Sequence, residues 1–171
     1  FELMPECFMT EKVDDSYIGL YGRVGNQRVY RYIKRKYIIP NEFIDTYNVF
    51  VTKSSGSGKL GETLSTPIIG KPAISHIDTF LSIGQFKTEY EAEACLKYIK
   101  TKFARTMLGI LKITQDNPPS TWCYVPLQDF TPSSDIDWSK SVAEIDRQLY
   151  AKYGLSDEEI NFIESHVKEM A

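Results

Sequence analysis

Histidine and cysteine are scarce in this 171-residue chain, with two and three copies respectively. Cys7, Cys95 and Cys123 lie far apart and share no C-x-x-C spacing, so neither a disulfide framework nor a structural zinc site is indicated. His76 and His166 each lack a nearby Cys or second His, which excludes the usual imidazole metal motifs. No apolar run reaches the roughly 18 residues of a membrane span, and the first residues lack the basic-then-apolar pattern of a secretory leader. A cytoplasmic protein with no membrane partner is the expectation. The chain opens at Phe1 without an initiator Met and enters in mid-pattern, which reads as a piece of a longer polypeptide.

What is present is an ordinary globular balance, 42% hydrophobic and 25% charged residues, enough to build a core. The net charge of -3 conceals a strong segregation. From Ser16 to Asn41 there is no acid, while Arg23, Arg28, Arg31, Lys34, Arg35 and Lys36 supply six positive charges. From Asp129 to the C-terminus ten acids face four bases. A basic face that meets phosphate and an acidic face turned elsewhere would have this distribution.

Two motifs imitate catalytic signatures and fail at named positions. Gly56-Ser57-Gly58-Lys59 suggests a phosphate loop, but that pattern requires Gly at 53 and Ser or Thr at 60, where the chain has Lys53 and Leu60. Asn117-Pro118-Pro119 matches the start of the adenine-methylase signature, in which Asn and a Pro carbonyl hold the amino group and an aromatic residue stacks on the flipped base. Ser120 occupies the aromatic position, and a helical segment leads in where a buried strand is needed, so a Pro-rich turn is the reading. No Gly-rich cofactor loop and no acid-x-Lys nuclease arrangement accompany them. The chain alone therefore offers no catalytic residues and no cofactor site.

The predicted fold class is α+β: a twisted, mostly antiparallel sheet in the first half, a long helix packed on it and a C-terminal helical hairpin. Strand candidates are Tyr17–Tyr21, Arg28–Ile33, Tyr47–Val51 and Thr79–Phe86, rich in aromatic and β-branched residues and separated by turn residues. The period then changes, and a helix is predicted over 88–112, capped by Thr88, with Ala92, Cys95, Ile99, Phe103 and Met107 as its apolar stripe. Ser141 with Glu144 and Ser156 with Glu159 match capping boxes, and Gly154 ends the first helix of the hairpin. The predicted division is 1–136 and 137–171.

Several strings carry a family resemblance. They are Gly56-Ser57-Gly58 with Gly61-Glu62 and Thr66-Pro67-Ile68-Ile69-Gly70, Thr79 to Phe86, Glu91 to Arg105 with Thr114-Gln115, Tyr124 to Phe130, and Ile145 to Tyr150. Together they span about residues 47 to 165 and resemble the C-terminal target-recognition (specificity) region of type II restriction-modification N6-adenine DNA methyltransferases, including those fused to endonucleases. The resemblance implies a double-stranded DNA partner. It also implies an N-terminal methyltransferase domain, outside this chain, that binds S-adenosylmethionine and carries the chemistry.

The residues expected to meet DNA are Arg23, Asn26, Gln27, Arg28, Arg31, Lys34 and Arg35 from the strands, with Lys53, Ser55, Ser57 and Lys59 from a flexible loop. Arg suits bidentate contact with guanine, Asn and Gln suit adenine, and Lys suits phosphate. Two rivals stay open: a divergent restriction nuclease domain, and a protein-interaction or dimerisation module built on the acidic hairpin. The oligomeric state is open as well.

Overall fold

The structure, a computed structural model, describes residues 1, 4–25 and 27–170. It is α+β, with two three-stranded sheets where one was expected. Strands β1 (Tyr17–Val24) and β2 (Gln27–Lys34) form an antiparallel hairpin, and β5 (Ile74–His76) joins β1 in parallel, giving the order β2-β1-β5. Strands β3 (Tyr47–Thr52), β4 (Ile68–Gly70) and β6 (Phe80–Phe86) form the second, antiparallel sheet in the order β4-β3-β6. The chain changes sheets between β4 and β5, where Ala73 sits at φ 62°, a left-handed conformation that costs a non-glycine residue roughly 1 kcal/mol. Hydrogen bonds from Ala73 N to Ile44 O and from Gly19 N to Ala73 O hold that switch.

The helix predicted over 88–112 is two helices, α1 (Glu89–Lys100) and α2 (Lys102–Gly109). Thr101 breaks it: at ψ 150° it ends α1 and caps α2, accepting from Ala104 N through its side chain. The remaining orphan donors of α2, Lys102 N and Phe103 N, donate to the carboxylate of Asp146 at 3.0 and 2.9 Å. The break is thus fixed by a residue 43 and 44 positions downstream.

The C-terminal hairpin forms as predicted. Helices α3 (Val142–Tyr153) and α4 (Asp157–His166) each begin with a full capping box, and Gly154 at φ 64° closes α3. Among the described residues no separate core marks a boundary at 136/137. One continuous core runs from Val49 and Val51 through Cys95, Ile99, Phe103 and Leu108 to Trp138, Ile145, Leu149 and Ile163. Tyr153 at the end of α3 is 40% exposed; it accepts from Gln128 Nε2 while its ring stacks on Phe103. The first sheet has its own small core of Ile18, Leu20, Ile33 and Ile44, and Tyr21, Phe50 and Phe80 join the two sheets. No helix among the described residues is long and apolar enough to cross a membrane.

Candidate nucleic-acid interface

The β1/β2 register decides which side chains of the basic segment share a face. Tyr17 lies opposite Lys34, Tyr21 opposite Tyr30 and Arg23 opposite Arg28, all on one side because strand side chains alternate. Ile18 and Ile33 face the opposite side and enter the small core. The first side therefore carries three bases interleaved with aromatic rings and no acid. Like charges placed directly across a ladder destabilise it, so the Arg23/Arg28 pair is unfavourable for the hairpin by itself.

Each base is held differently. Arg28 lies over the ring of Phe80, 5.3 Å from its centroid, and is exposed. Lys34 lies over Tyr17 at 5.7 Å. Cation–π placement fixes such side chains without neutralising them, which leaves the charge available to an anion. Arg23 donates through Nε to Gly25 O at 2.7 Å. Half-buried Arg31 donates to Tyr30 O on the other side of the strand, and no ion pair closes on Arg28, Arg31 or Lys34 among the described residues. Arg35 stands apart: it forms a two-pronged ion pair with Asp45, which holds that carboxyl below its ordinary range. Gln27 is exposed at the hairpin tip, and Asn26 lies outside the described residues.

Phe80 links this face to the second predicted group. It pairs with Thr52 at the end of β3, and Lys53 N donates to Thr79 O, so Arg28 and the start of the Gly-Ser loop come together at one ring. The loop itself is ordered. Lys53 is paired with Asp78. Ser55, expected to reach DNA, is buried, and its Oγ accepts from Asn117 Nδ2 at 2.9 Å, so it belongs to the scaffold. Ser57 donates to the Glu62 carboxylate through both its amide and its hydroxyl, and Lys59 is exposed.

The Asn-Pro-Pro turn runs alongside this loop. Asn117 N donates to Lys53 O, its side-chain amide donates to Ser55 Oγ, and the residue is only 1% exposed. Its Nδ2 is thus spent on local structure, while its Oδ1 is buried with no hydrogen-bond partner among the described residues. Beyond the turn an apolar cavity of about 280 Å³ lies between β6, α1 and residues 119–130, lined by Ile83, Cys95, Tyr98, Trp122 and Phe130 among others. Burial pushes the Cys95 thiol well above its ordinary value, so it stays protonated there and is a poor nucleophile. No group of three His, Cys, Asp or Glu residues among the described positions could hold a metal ion.

Sequence reasoning missed Phe80, Glu62 and buried Lys112, and it treats Arg105 as a surface base of the long helix that could add a phosphate contact, which burial overturns. Arg105 is 4% exposed and donates to Lys100 O, Thr101 O, Glu62 O and Lys168 O, tying α2 to the loop and to the C-terminus. Lys112 donates to Ser55 O and Thr114 O. An acid four residues after Gly58 in a basic loop was the one visible signal for Glu62; nothing local marks the others. Comparison of the chain with models of known protein families, with curated proteins and with solved structures finds no match.

Proposed function

We propose that this chain is a double-stranded DNA target-recognition module of a restriction-modification adenine methyltransferase, with methyl transfer from S-adenosylmethionine carried by a partner domain. The observation that carries the reading is the acid-free side of the β1/β2 hairpin, where Arg23, Arg28, Tyr30 and Lys34 are exposed while Tyr21 packs against the second sheet. Beyond Tyr21, where β5 no longer pairs with β1, the hairpin tip is a two-stranded ribbon narrow enough to enter the major groove, and a guanidinium placed by an aromatic ring suits a guanine edge. Gln27 at the tip suits adenine, while Lys34 and Lys59 suit phosphates that set register without reading sequence. The resemblance of residues 47 to 165 to specificity regions supports the same reading, and the absence of any acid between Ser16 and Asn41 keeps repelling charges out of the hairpin itself.

Titration of the chain against mixed-sequence duplexes, followed by fluorescence anisotropy at rising salt, tests it. Binding that weakens linearly in log–log form with salt is expected, since each neutralised phosphate releases counterions. No binding at low salt would sink the reading. A stable oligomer that persists where DNA binding has vanished would favour the interaction-module rival instead.

A further inference from the structure

The loop after β3 already holds an oxyanion. Ser57 N donates to Glu62 Oε2 at 2.7 Å, Gly58 N to the same oxygen at 3.2 Å, and Ser57 Oγ to Oε1 at 2.9 Å. Gly56 and Gly58 take φ 64° and 92°, and a Cβ at position 56 would collide with that carboxylate, so glycine there leaves room for it. The buried ammonium of Lys112 adds a favourable field, and together these groups hold the Glu62 carboxyl below its ordinary range, the Ser57 bonds first. Two backbone N–H groups and a hydroxyl converging beside a cation form a donor set that a phosphate oxygen accepts equally well.

The molecule supplies its own control. In the three capping boxes a carboxylate also takes the amide and hydroxyl of a Thr or Ser, at Thr88/Glu91, Ser141/Glu144 and Ser156/Glu159. In each of those the hydroxyl accepts the Glu backbone N–H in return, and a helix starts. Glu62 N donates instead to Lys59 O, and no helix starts at Ser57. The donors at Ser57 and Gly58 therefore have no helix to initiate, and their occupant is a half-exposed side chain that can turn outward beside exposed Lys59.

The geometry points to a phosphate-binding site at Ser57 and Gly58, kept filled by Glu62 until a phosphate group displaces it. On the DNA reading above, on which its source rests, that group is a backbone phosphodiester; free phosphate is the other source of the same chemistry. Glu62 then acts as a built-in competitor that weakens non-specific attachment.

The test uses Glu62→Ala and the shape-conserving Glu62→Gln, each checked for an unchanged fold by circular dichroism and thermal unfolding. In 15N-labelled protein, millimolar inorganic phosphate is expected to shift the Ser57 and Gly58 amide resonances in both variants and to leave them nearly still in the wild type. Duplex DNA should bind the variants about fivefold more tightly at low salt, with a salt dependence steeper by about 0.9 in log–log slope, one extra phosphate contact. Amides that stay still in the folded variants overturn the site. Amide shifts without any gain in DNA affinity assign it to free phosphate. Amide shifts in a protein that binds no duplex at all keep the site and remove the DNA reading, so the two failures are told apart.

Discussion

The two halves of this chain use charge in opposite ways. In the helical half the acids are consumed by structure: Glu91, Glu144 and Glu159 close capping boxes, Asp146 caps α2 from a distance, and Asp129 and Asp137 each anchor a loop turn. In the hairpin half Arg23 is engaged with Gly25 O and Arg35 with Asp45, while Arg28 and Lys34 rest on rings and close no ion pair among the described residues. A surplus of one sign is informative only after the residues spent on folding are subtracted. The acidic surplus largely disappears under that subtraction, and Arg28 and Lys34 remain on the basic side. The cores differ as well, one continuous and formed by the helices packed on β3, the other small and closed by Ile18, Leu20, Ile33 and Ile44.

The strongest way to break this comparison is to damage each core in turn. Leu149→Ala removes a side chain with no exposed surface from the main core, and a loss of about 3 kcal/mol in global stability is expected by denaturant unfolding. Ile33→Ala should cost about 2 kcal/mol, with faster amide exchange confined to β1, β2 and β5. Equal acceleration in α3 and α4 would show that the two cores unfold as one.

Next in size is Asp146→Ala. It strands the buried N–H groups of Lys102 and Phe103, and a loss of about 2 kcal/mol follows, with Asp146→Asn recovering part of it by keeping one acceptor oxygen. Burial, the largest influence on Asp146, raises its carboxyl above the ordinary value, so its ionised form is held there at some cost. If Asp146→Ala left α2 intact, the helix break would have to be credited to Thr101 alone.

That break also shows where the sequence stops being readable. The capping boxes at Ser141 and Ser156, the left-handed Gly154 and the edges of β2, β3 and β6 to within a residue depend on neighbours a few residues apart and were legible, whereas β1 runs three residues past its predicted end at Tyr21. The interruption at Thr101 was not, because the group that stabilises it is Asp146, and neither Gly nor Pro announces it. The parallel pairing of β5 with β1 and the switch of sheets at Ala73 have the same cause, contacts between segments distant in sequence. In the candidate site the bases of β2 were legible from composition, and their common face followed only from register. Ser55 was misjudged for a physical reason: a small polar residue in a Gly-rich loop looks exposed, yet Asn117 takes its hydroxyl into the interior.

Charge reversal at the hairpin sharpens the comparison at the level of binding. Arg28→Glu should weaken duplex binding at least about tenfold at low salt while leaving the thermal midpoint nearly unchanged, because the residue is exposed. Arg147→Glu, an equal change of charge at an exposed position of α3 in the acidic half, should alter affinity less than about twofold. Equal losses from the two variants would mean that only total charge matters and that the hairpin face has no special role.

The smallest effect concerns the seam between the sheets. His76 on β5 donates from Nδ1 to Ile77 O at 2.9 Å, which leaves Nε2 to accept the Ser82 hydroxyl of β6 at 2.9 Å, and its ring packs edge-on against Phe50. Desolvation in this position is the main reason its pKa lies below the ordinary imidazole value; nearby Lys53 pushes the same way, while the Ile77 bond and Asp78 oppose. The folded state therefore disfavours the protonated ring. Its contribution to stability is present above about pH 6.5, the unfolded value, and is lost as pH falls through the lower folded value. Protonation also removes the acceptor that Ser82 uses, so the loss should appear first as faster amide exchange in β5 and the start of β6. In His76→Gln, which does not titrate, the fall in thermal midpoint between about pH 6.5 and 5 should be shallower than in the wild type. Parallel pH profiles for the two proteins would mean that the imidazole does not link the sheets, and that the aromatic contacts of Tyr21, Phe50 and Phe80 hold the seam by themselves.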